Sequence, residues 1–233
     1  MIKNFLSFKI LSLNNKFFSN LTFLMIAVLS VGIAYALFFS PPDIIQGDSA
    51  RIMYVHVPSS FIALGLFGFI GFASLCNLIF KIKFISLMAK SFALIGLIFT
   101  LISIITGSIW GKPTWGTWWA WDARLTSMLI LFIFYIVYIL TWKFISNYDL
   151  ANKISSVIGI IGSFNLPIIK YSVDWWNTLH QPSSITLTSA PTIHHSMLFP
   201  LIIMLLGLFL FSIIIFLMKY KTELIKLKFG KKK

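Results

Sequence analysis

Six apolar stretches, each long enough to cross a lipid bilayer, dominate this sequence. A bilayer core of about 30 Å requires about 20 consecutive apolar residues in helical conformation. The chain is 58% hydrophobic and only 11% charged, whereas an average soluble domain carries roughly 25% charged residues. The sequence therefore predicts an all-α, polytopic integral membrane protein, with residues 1–233 forming one domain of six transmembrane helices. We place the spans near residues 21–40, 59–80, 91–110, 125–145, 154–170 and 198–218.

The basic residues are distributed unequally between the two sides of these spans. The side that includes both termini carries fifteen lysines, and the other side carries only Arg51, Lys112, Arg124 and Lys170. Lys and Arg accumulate in the inner loops of membrane proteins, so both termini are expected in the cytoplasm, or in the matrix of a mitochondrion. The net charge of +13 then reflects contact with lipid headgroups in the bilayer, and no nucleic acid partner is expected.

The first span has a second interpretation. Ala34-Tyr35-Ala36 is similar to a signal-peptidase site after a lysine-bearing start and an apolar run, as in a secretory signal peptide. The apolar stretch has the full length of a span, which favours an uncleaved helix. In both cases the following loop faces outward.

The connection between the third and fourth spans is rich in tryptophan, with five among residues 110–121. Tryptophan combines a large flat apolar surface with an N–H that requires a polar partner. Gly111, Pro113 and Gly116 predict a backbone that turns here instead of continuing as helix. Seven of the eight tryptophans lie on the predicted outer side, whereas an aromatic belt occupies both interfaces. The segment therefore indicates a surface for a flat, apolar ligand.

All four histidines lie on the same predicted outer side. Pro58 and the serines after it are expected to start the second span, and Pro167 is expected to kink the fifth span. Neutral imidazole is the commonest biological metal ligand, and paired histidines can hold haem iron. The four residues are His56, His180, His194 and His195.

The other residues on the predicted outer side are also suited to binding haem. Its flat ring suits aromatic walls, and its two anionic propionates require nearby cations. The outward cations are the two arginines and two lysines named above. Cys76 is the only cysteine, so the chain has no pair for an internal disulfide or for a cysteine metal site.

Three sequence segments resemble a known family. WGTWWAWDARLT at 115–126 resembles the tryptophan-rich signature of the haem-handling membrane proteins of cytochrome c biogenesis. Within that group, MYVHVP at 53–58 and VDWWNTLHQ at 173–181 resemble the haem exporter protein C (CcmC) family, over nearly the whole chain. The resemblance implies that His56 and His180 are the axial ligands of haem b, iron protoporphyrin IX. It also implies an outward haem platform at about 110–124, for which we take Trp110, Lys112, Trp115, Gly116, Trp118, Trp119, Trp121, Asp122 and Arg124, with Trp175 and Trp176 nearby.

The same resemblance implies a function. Members of the family present haem on the outer face, periplasmic or intermembrane, to the haem chaperone CcmE, beside CcmD and the ATP-driven pair CcmA and CcmB. The chain is then a haem-delivery component of the bacterial or mitochondrial inner membrane, without catalytic residues of a conventional enzyme. It lacks the Gly-rich phosphate loop required for ATPase activity. His194 and His195 match no ligand of the family.

Three alternatives stay open at this point. A bis-histidine membrane cytochrome b for quinone-linked electron transfer would place its ligands within facing helices, whereas these histidines are expected in loops or at helix ends. A solute permease would carry ionisable residues along its path, and the spans contain almost none. A larger haem lyase with the same tryptophan signature would require additional spans.

Overall fold

The computed structural model describes residues 10–182, 184 and 190–229. Lys3, Lys9 and the lysines at 231–233, which contribute to the predicted charge asymmetry, lie outside them. Six helices in the described part of the chain are long and apolar enough to cross a membrane, which confirms the predicted all-α, six-span fold. The helices are α1 (Asn15–Ala34), α2 (Met53–Phe80), α3 (Lys83–Trp115), α4 (Ala123–Phe144), α5 (Tyr148–Ser163), α6 (Asn165–Trp175) and α7 (His195–Phe229).

A short connection leads from α1 to α2. The last turn of the first span is a π-helix, Tyr35–Phe39, and a 3-10 helix, Asp48–Ile52, precedes α2. Between them, Asp43 Oδ1 accepts hydrogen bonds from the backbone N–H groups of Ile45 and Gln46, at 2.9 and 2.8 Å. This tight turn fixes the position of Gln46 beside α3.

Helix α2 is central to the bundle and packs against α3, α5 and α7. Tyr135 of α4 is fully buried, and its hydroxyl donates a 2.7 Å hydrogen bond to the carbonyl of Ala63 in α2. It passes Gly96 of α3 so closely that a Cβ atom there would collide with it. Lipid is as apolar as the core, so membrane helices associate through such close packing and interhelical hydrogen bonds.

The two ends of the bundle differ in chemistry. At one end, Lys221 Nζ donates to the carbonyl of Leu13 at 2.6 Å, which brings the start and the end of the described chain together. Ion pairs Lys83–Asp149 and Lys90–Glu223 lie at this end, which we call the lysine end. The opposite end, here called the site end, is formed by the start of α2, α4 and α7 and the end of α1, α3 and α6.

The structure corrects the predicted start of the second span. We expected His56 just before the helix and Pro58 at its beginning, but α2 begins at Met53 and contains both residues. Pro58 lacks the N–H that would otherwise bond to the Tyr54 carbonyl, but it lies within the first two turns of the helix. The hydroxyl of Ser60 donates to the carbonyl of His56 at 2.9 Å. His56 therefore projects from α2 and not from the loop before it.

The structure also corrects the expected turn in the tryptophan-rich segment. Helix α3 continues through Gly111 and Pro113 and ends at Trp115, so only residues 116–122 connect it to α4. The hydroxyl of Thr114 donates to the carbonyl of Trp110 at 2.8 Å. Gly116, with a φ of 79°, terminates the helix in the left-handed conformation that glycine adopts without strain.

The fifth span, for which we predicted a kink at Pro167, has a break at Phe164 that divides it into α5 and α6. Pro167 lies in the first turn of α6. The N–H groups of a first turn have no acceptor within the helix, so the missing N–H of proline costs no hydrogen bond there. Asn165 donates to the carbonyl of Ser127 at 2.8 Å and thereby attaches the break to α4.

Candidate functional site

A cleft with an enclosed volume of about 100 Å³ opens at the site end. Helices α2, α3 and α4 and the segment after α6 form its walls. Six of the residues that we predicted for the site line this cleft, although they come from four separate parts of the chain. They are His56, Trp110, Trp115, Trp119, Arg124 and His180.

The imidazole of His56 is held in one orientation by α3. Its Nδ1 lies 3.0 Å from the carbonyl oxygen of Ser103 and 3.1 Å from Thr106 Oγ1. The Thr106 hydroxyl donates its own proton to the carbonyl of Ile102 at 2.7 Å, so its oxygen accepts from the ring. Nδ1 is therefore the protonated nitrogen, which leaves Nε2 with a free lone pair.

Gly107 makes this arrangement possible. A Cβ atom at that position would lie 2.9 Å from His56 Cε1, which is closer than two carbon atoms can pack. The absence of a side chain lets the backbone of α3 lie directly against the ring. Helix α3 therefore supports His56 by shape as well as by hydrogen bonds.

The second imidazole, His180, lies in the irregular segment after α6. Its Nδ1 lies 3.0 Å from the carbonyl oxygen of Gln181, and since a carbonyl only accepts, Nδ1 donates here as well. Asp122 attaches the segment to α4, because its Oδ1 accepts from the Leu125 N–H at 2.8 Å and its Oδ2 from the Leu179 N–H at 3.2 Å. Burial lowers the pKa of His180 below the ordinary histidine value, which favours the neutral ring.

The two imidazoles lie close together in the cleft. Their ring centres are 6.4 Å apart, and the ring planes are inclined by 34°. Two metal–nitrogen bonds of about 2 Å, together with roughly 1 Å from each nitrogen to its ring centre, require about 6 Å between ring centres. The spacing therefore suits two imidazoles that bind one metal ion from opposite sides.

Aromatic side chains extend the cleft on both sides of the imidazoles. The Trp110 ring lies edge-on to His56 at 5.8 Å, and its N–H donates to Gln46 Oε1 at 2.8 Å. The Trp115 ring centre is 6.0 Å from that of His180. Such walls favour a flat, apolar ligand.

Two donors in the cleft suit the anionic groups of a ligand. The buried N–H of Trp119 has no acceptor among the described residues, and a buried donor without a partner is energetically costly. Arg124 lines the same cleft, and its Nε donates to Ser172 Oγ at 2.9 Å. Of the four outward cations considered from the sequence, Arg124 is the one that the described residues place in the cleft lining.

The other predicted site residues lie outside the cleft lining. Trp118 and Trp121 are 57% and 78% exposed, and Trp175 and Trp176, at the end of α6, are 56% and 49% exposed. We call these four residues the exposed tryptophan surface. The remaining three form local structure: Lys112 donates to the carbonyl of Gly116 at 3.1 Å, and Asp122 caps α4.

The other pair of histidines is separate from the cleft. The ring centres of His194 and His195 are 6.2 Å apart, and His194 Nδ1 lies 2.8 Å from Ser196 Oγ. His195 begins α7. Neither belongs to the cleft lining.

Sequence reasoning missed the residues that support the site. Gln46, Ser103 and Gly107 line the cleft, and Thr106 contacts His56. A signal for the last three is present in the sequence, because positions 103, 106, 107 and 110 share one face of a helix. In a third span that continues past Gly111, the small and polar side chains of this face lie on the same side of the helix as Trp110.

The enclosed volume limits what the cleft can bury. Pockets that enclose a whole small-molecule ligand usually measure about 300–1,000 Å³, and this cleft measures about 100 Å³. A macrocycle held between the imidazoles would therefore be only partly covered.

Comparison with known proteins identifies relatives over most of the chain. The family model CcmC, described as Heme exporter protein C, matches residues 4–233. Heme exporter protein C of Haemophilus influenzae is 44% identical over 88% of this chain and 83% of its own length. The Bradyrhizobium diazoefficiens protein of the same name is 36% identical over 86% of this chain and 76% of its own length. A putative cytochrome c biosynthesis ccmC-like mitochondrial protein of Marchantia polymorpha is 39% identical over 87% of this chain and 86% of its own length.

Proposed function

The chain belongs to the CcmC (Heme exporter protein C) family, and from this premise we propose that it holds haem b at the outer membrane surface and delivers it to the haem chaperone CcmE. In this proposal haem is cargo that the protein receives and releases. The chain works in c-type cytochrome biogenesis beside CcmD and the ATP-driven pair CcmA and CcmB, which supply the energy that it cannot obtain from nucleotide itself.

The close approach of the two imidazoles is the observation that carries this proposal. His56 and His180 would bind the iron through Nε2, because the Nδ1 of each ring donates to a backbone carbonyl. Such outer hydrogen bonds orient a ligating histidine and increase its basicity. Bound haem would supply the iron centre, whereas this chain supplies coordination and orientation.

The remaining residues of the cleft suit the porphyrin. Trp110, Trp115 and Trp119 offer aromatic surface to the ring, and the guanidinium of Arg124 and the N–H of Trp119 offer donors to the propionates. The small enclosed volume supports a releasable cargo, because part of the ring would stay outside the cleft. The exposed tryptophan surface is at the same end of the bundle and is where a receiving partner would dock, with Lys112 as an additional exposed cation.

The charge distribution supports the orientation in the membrane. The lysine end would face the cytoplasm, or the mitochondrial matrix, and the site end the periplasm or intermembrane space. We propose that the protein resides in the bacterial inner membrane, with the mitochondrial inner membrane as the alternative.

The proposal is tested by the haem content of the purified chain co-expressed with CcmE. We expect His56→Ala and His180→Ala each to lower the co-purifying haem and its Soret absorbance more than about tenfold. His194→Ala and His195→Ala are matched controls on the same side of the membrane and should retain the wild-type spectrum.

Unchanged haem content in both cleft variants would contradict the axial assignment. Measuring whether the bound haem passes to CcmE distinguishes the proposed function from that of a quinone-linked cytochrome b. A haem that quinol reduces rapidly, and that never passes to CcmE, would establish electron transfer instead.

A further inference from the structure

A second cavity lies at the lysine end, far from the cleft with the histidines. Helices α3, α4 and α7 form it, and its volume is about 470 Å³. Its mouth is strongly basic, with a single carboxylate, Glu223, among the lining residues. The basic residues are Lys90, Lys143, Lys219 and Lys226.

Glu223 neutralises only part of this charge. Its Oε2 lies 2.6 Å from Lys90 Nζ and its Oε1 lies 2.9 Å from Lys226 Nζ. No ion pair of the described residues includes Lys143 or Lys219, and Lys219 is half-buried. A partly buried cation is costly unless an anion accompanies it, so the cavity favours an anionic ligand.

The deeper wall of the cavity is apolar. Ala93 and Leu94 lie about one helical turn beyond Lys90, and Ile139 lies about one turn from Lys143, both toward the middle of the membrane. Trp142 flanks the mouth, and Lys90 Nζ lies 4.9 Å from the centre of its ring. The cavity therefore changes from cationic to apolar along the direction of the membrane normal.

We propose that this cavity binds a phospholipid with an anionic headgroup. Lys143 and Lys219 hold the headgroup phosphate, and the first part of an acyl chain lies along Ala93, Leu94 and Ile139. Basic pockets between transmembrane helices bind acidic headgroups in this way, and the volume is within the range of ligand pockets. A free phosphate ion would use the lysines and leave the apolar wall without a partner.

The experiment measures which lipids the full-length chain retains. Wild-type protein is purified in mild detergent, delipidated, incubated with phosphatidylglycerol or phosphatidylethanolamine, and analysed by native mass spectrometry. Wild type is expected to retain one phosphatidylglycerol and to prefer it over phosphatidylethanolamine. The double variant Lys143→Gln/Lys219→Gln is expected to bind phosphatidylglycerol about 30-fold more weakly, from the contribution of each lysine to the attraction of an acidic lipid.

Two further variants test whether lipid binding depends on the lysines of the cavity and not on the overall charge of the protein or on a loss of folding. Lys16→Gln/Lys153→Gln removes the same charge from two exposed lysines outside the cavity lining and should bind like wild type. Lys143→Arg/Lys219→Arg keeps the charge and should also retain the lipid.

Equal binding by wild type and the double Gln variant would overturn the proposal. Equal retention of both lipids by wild type, or displacement of phosphatidylglycerol by millimolar inorganic phosphate, would overturn it as well. The Soret absorbance of the same samples reports on the opposite end of the bundle and should be identical in all variants.

Discussion

The contact between Gly107 and His56 offers a quantitative test of the site. A Cβ atom at Gly107 would lie 2.9 Å from His56 Cε1 and 3.4 Å from Nδ1. Non-bonded carbon atoms pack at about 3.5–4.0 Å, so Gly107→Ala must displace the ring by at least about 0.6 Å. This displacement disturbs the 3.0 Å hydrogen bond from Nδ1 to the Ser103 carbonyl. Loss of the group that orients a ligating histidine lowers metal affinity about 10- to 100-fold, and we expect that loss in haem affinity.

The assay is a titration of purified, haem-free protein with haemin, followed by the Soret absorbance. Gly65→Ala is the control, because a Cβ atom at Gly65 of α2 meets no atom within 4 Å, and this variant should bind haem like wild type. If Gly107→Ala binds haemin with wild-type affinity and an unchanged spectrum, His56 does not bind the iron in the orientation described.

Two more predictions concern the His180 side of the cleft. Asp122→Asn should keep the cap of α4 but lose the acceptor for the Leu179 N–H, so that haem retention falls while thermal stability stays near wild type. Asp122→Ala should lower haem retention and also lose about 1 kcal/mol of stability from the cap. Equal haem retention by wild type and both variants would contradict a positioning role for Asp122. Because burial lowers the pKa of His180, its ring stays neutral as the pH falls through the ordinary value of about 6.5, and haem should be lost only below it. A Soret titration from about pH 7.5 to pH 4.5 checks this, and half-loss at or above about pH 6.5 would contradict it.

The six spans and the location of the site end follow from local composition. Long apolar stretches and lysine-rich connections are visible without tertiary structure, and they predict which helix ends lie together. Hydropathy does not reveal how far a helix extends beyond the apolar core. Hydropathy therefore predicts loops for the first turn of α2, which carries His56, and for the last turn of α3, which carries Trp115.

The meeting of His56 and His180 could not be derived from composition or spacing. It depends on the break at Phe164, on the approach of α6, and on the hydrogen bond between Asp122 and the Leu179 N–H. These are tertiary features, and only the resemblance to a family linked the two histidines beforehand. Gly107 was missed for a related reason, since its importance comes from the ring that packs against it.

The hydrogen bonds from both Nδ1 atoms to backbone carbonyls would have a consequence for the proposed exchange of haem. A cysteine thiol must lose its proton before the sulfur can bind a metal, whereas each of these imidazoles already presents an unprotonated nitrogen in its neutral form. In the proposed function, loading and unloading of the iron would then proceed without proton release from these two ligands, so the exchange would not change with pH as long as both rings stay neutral.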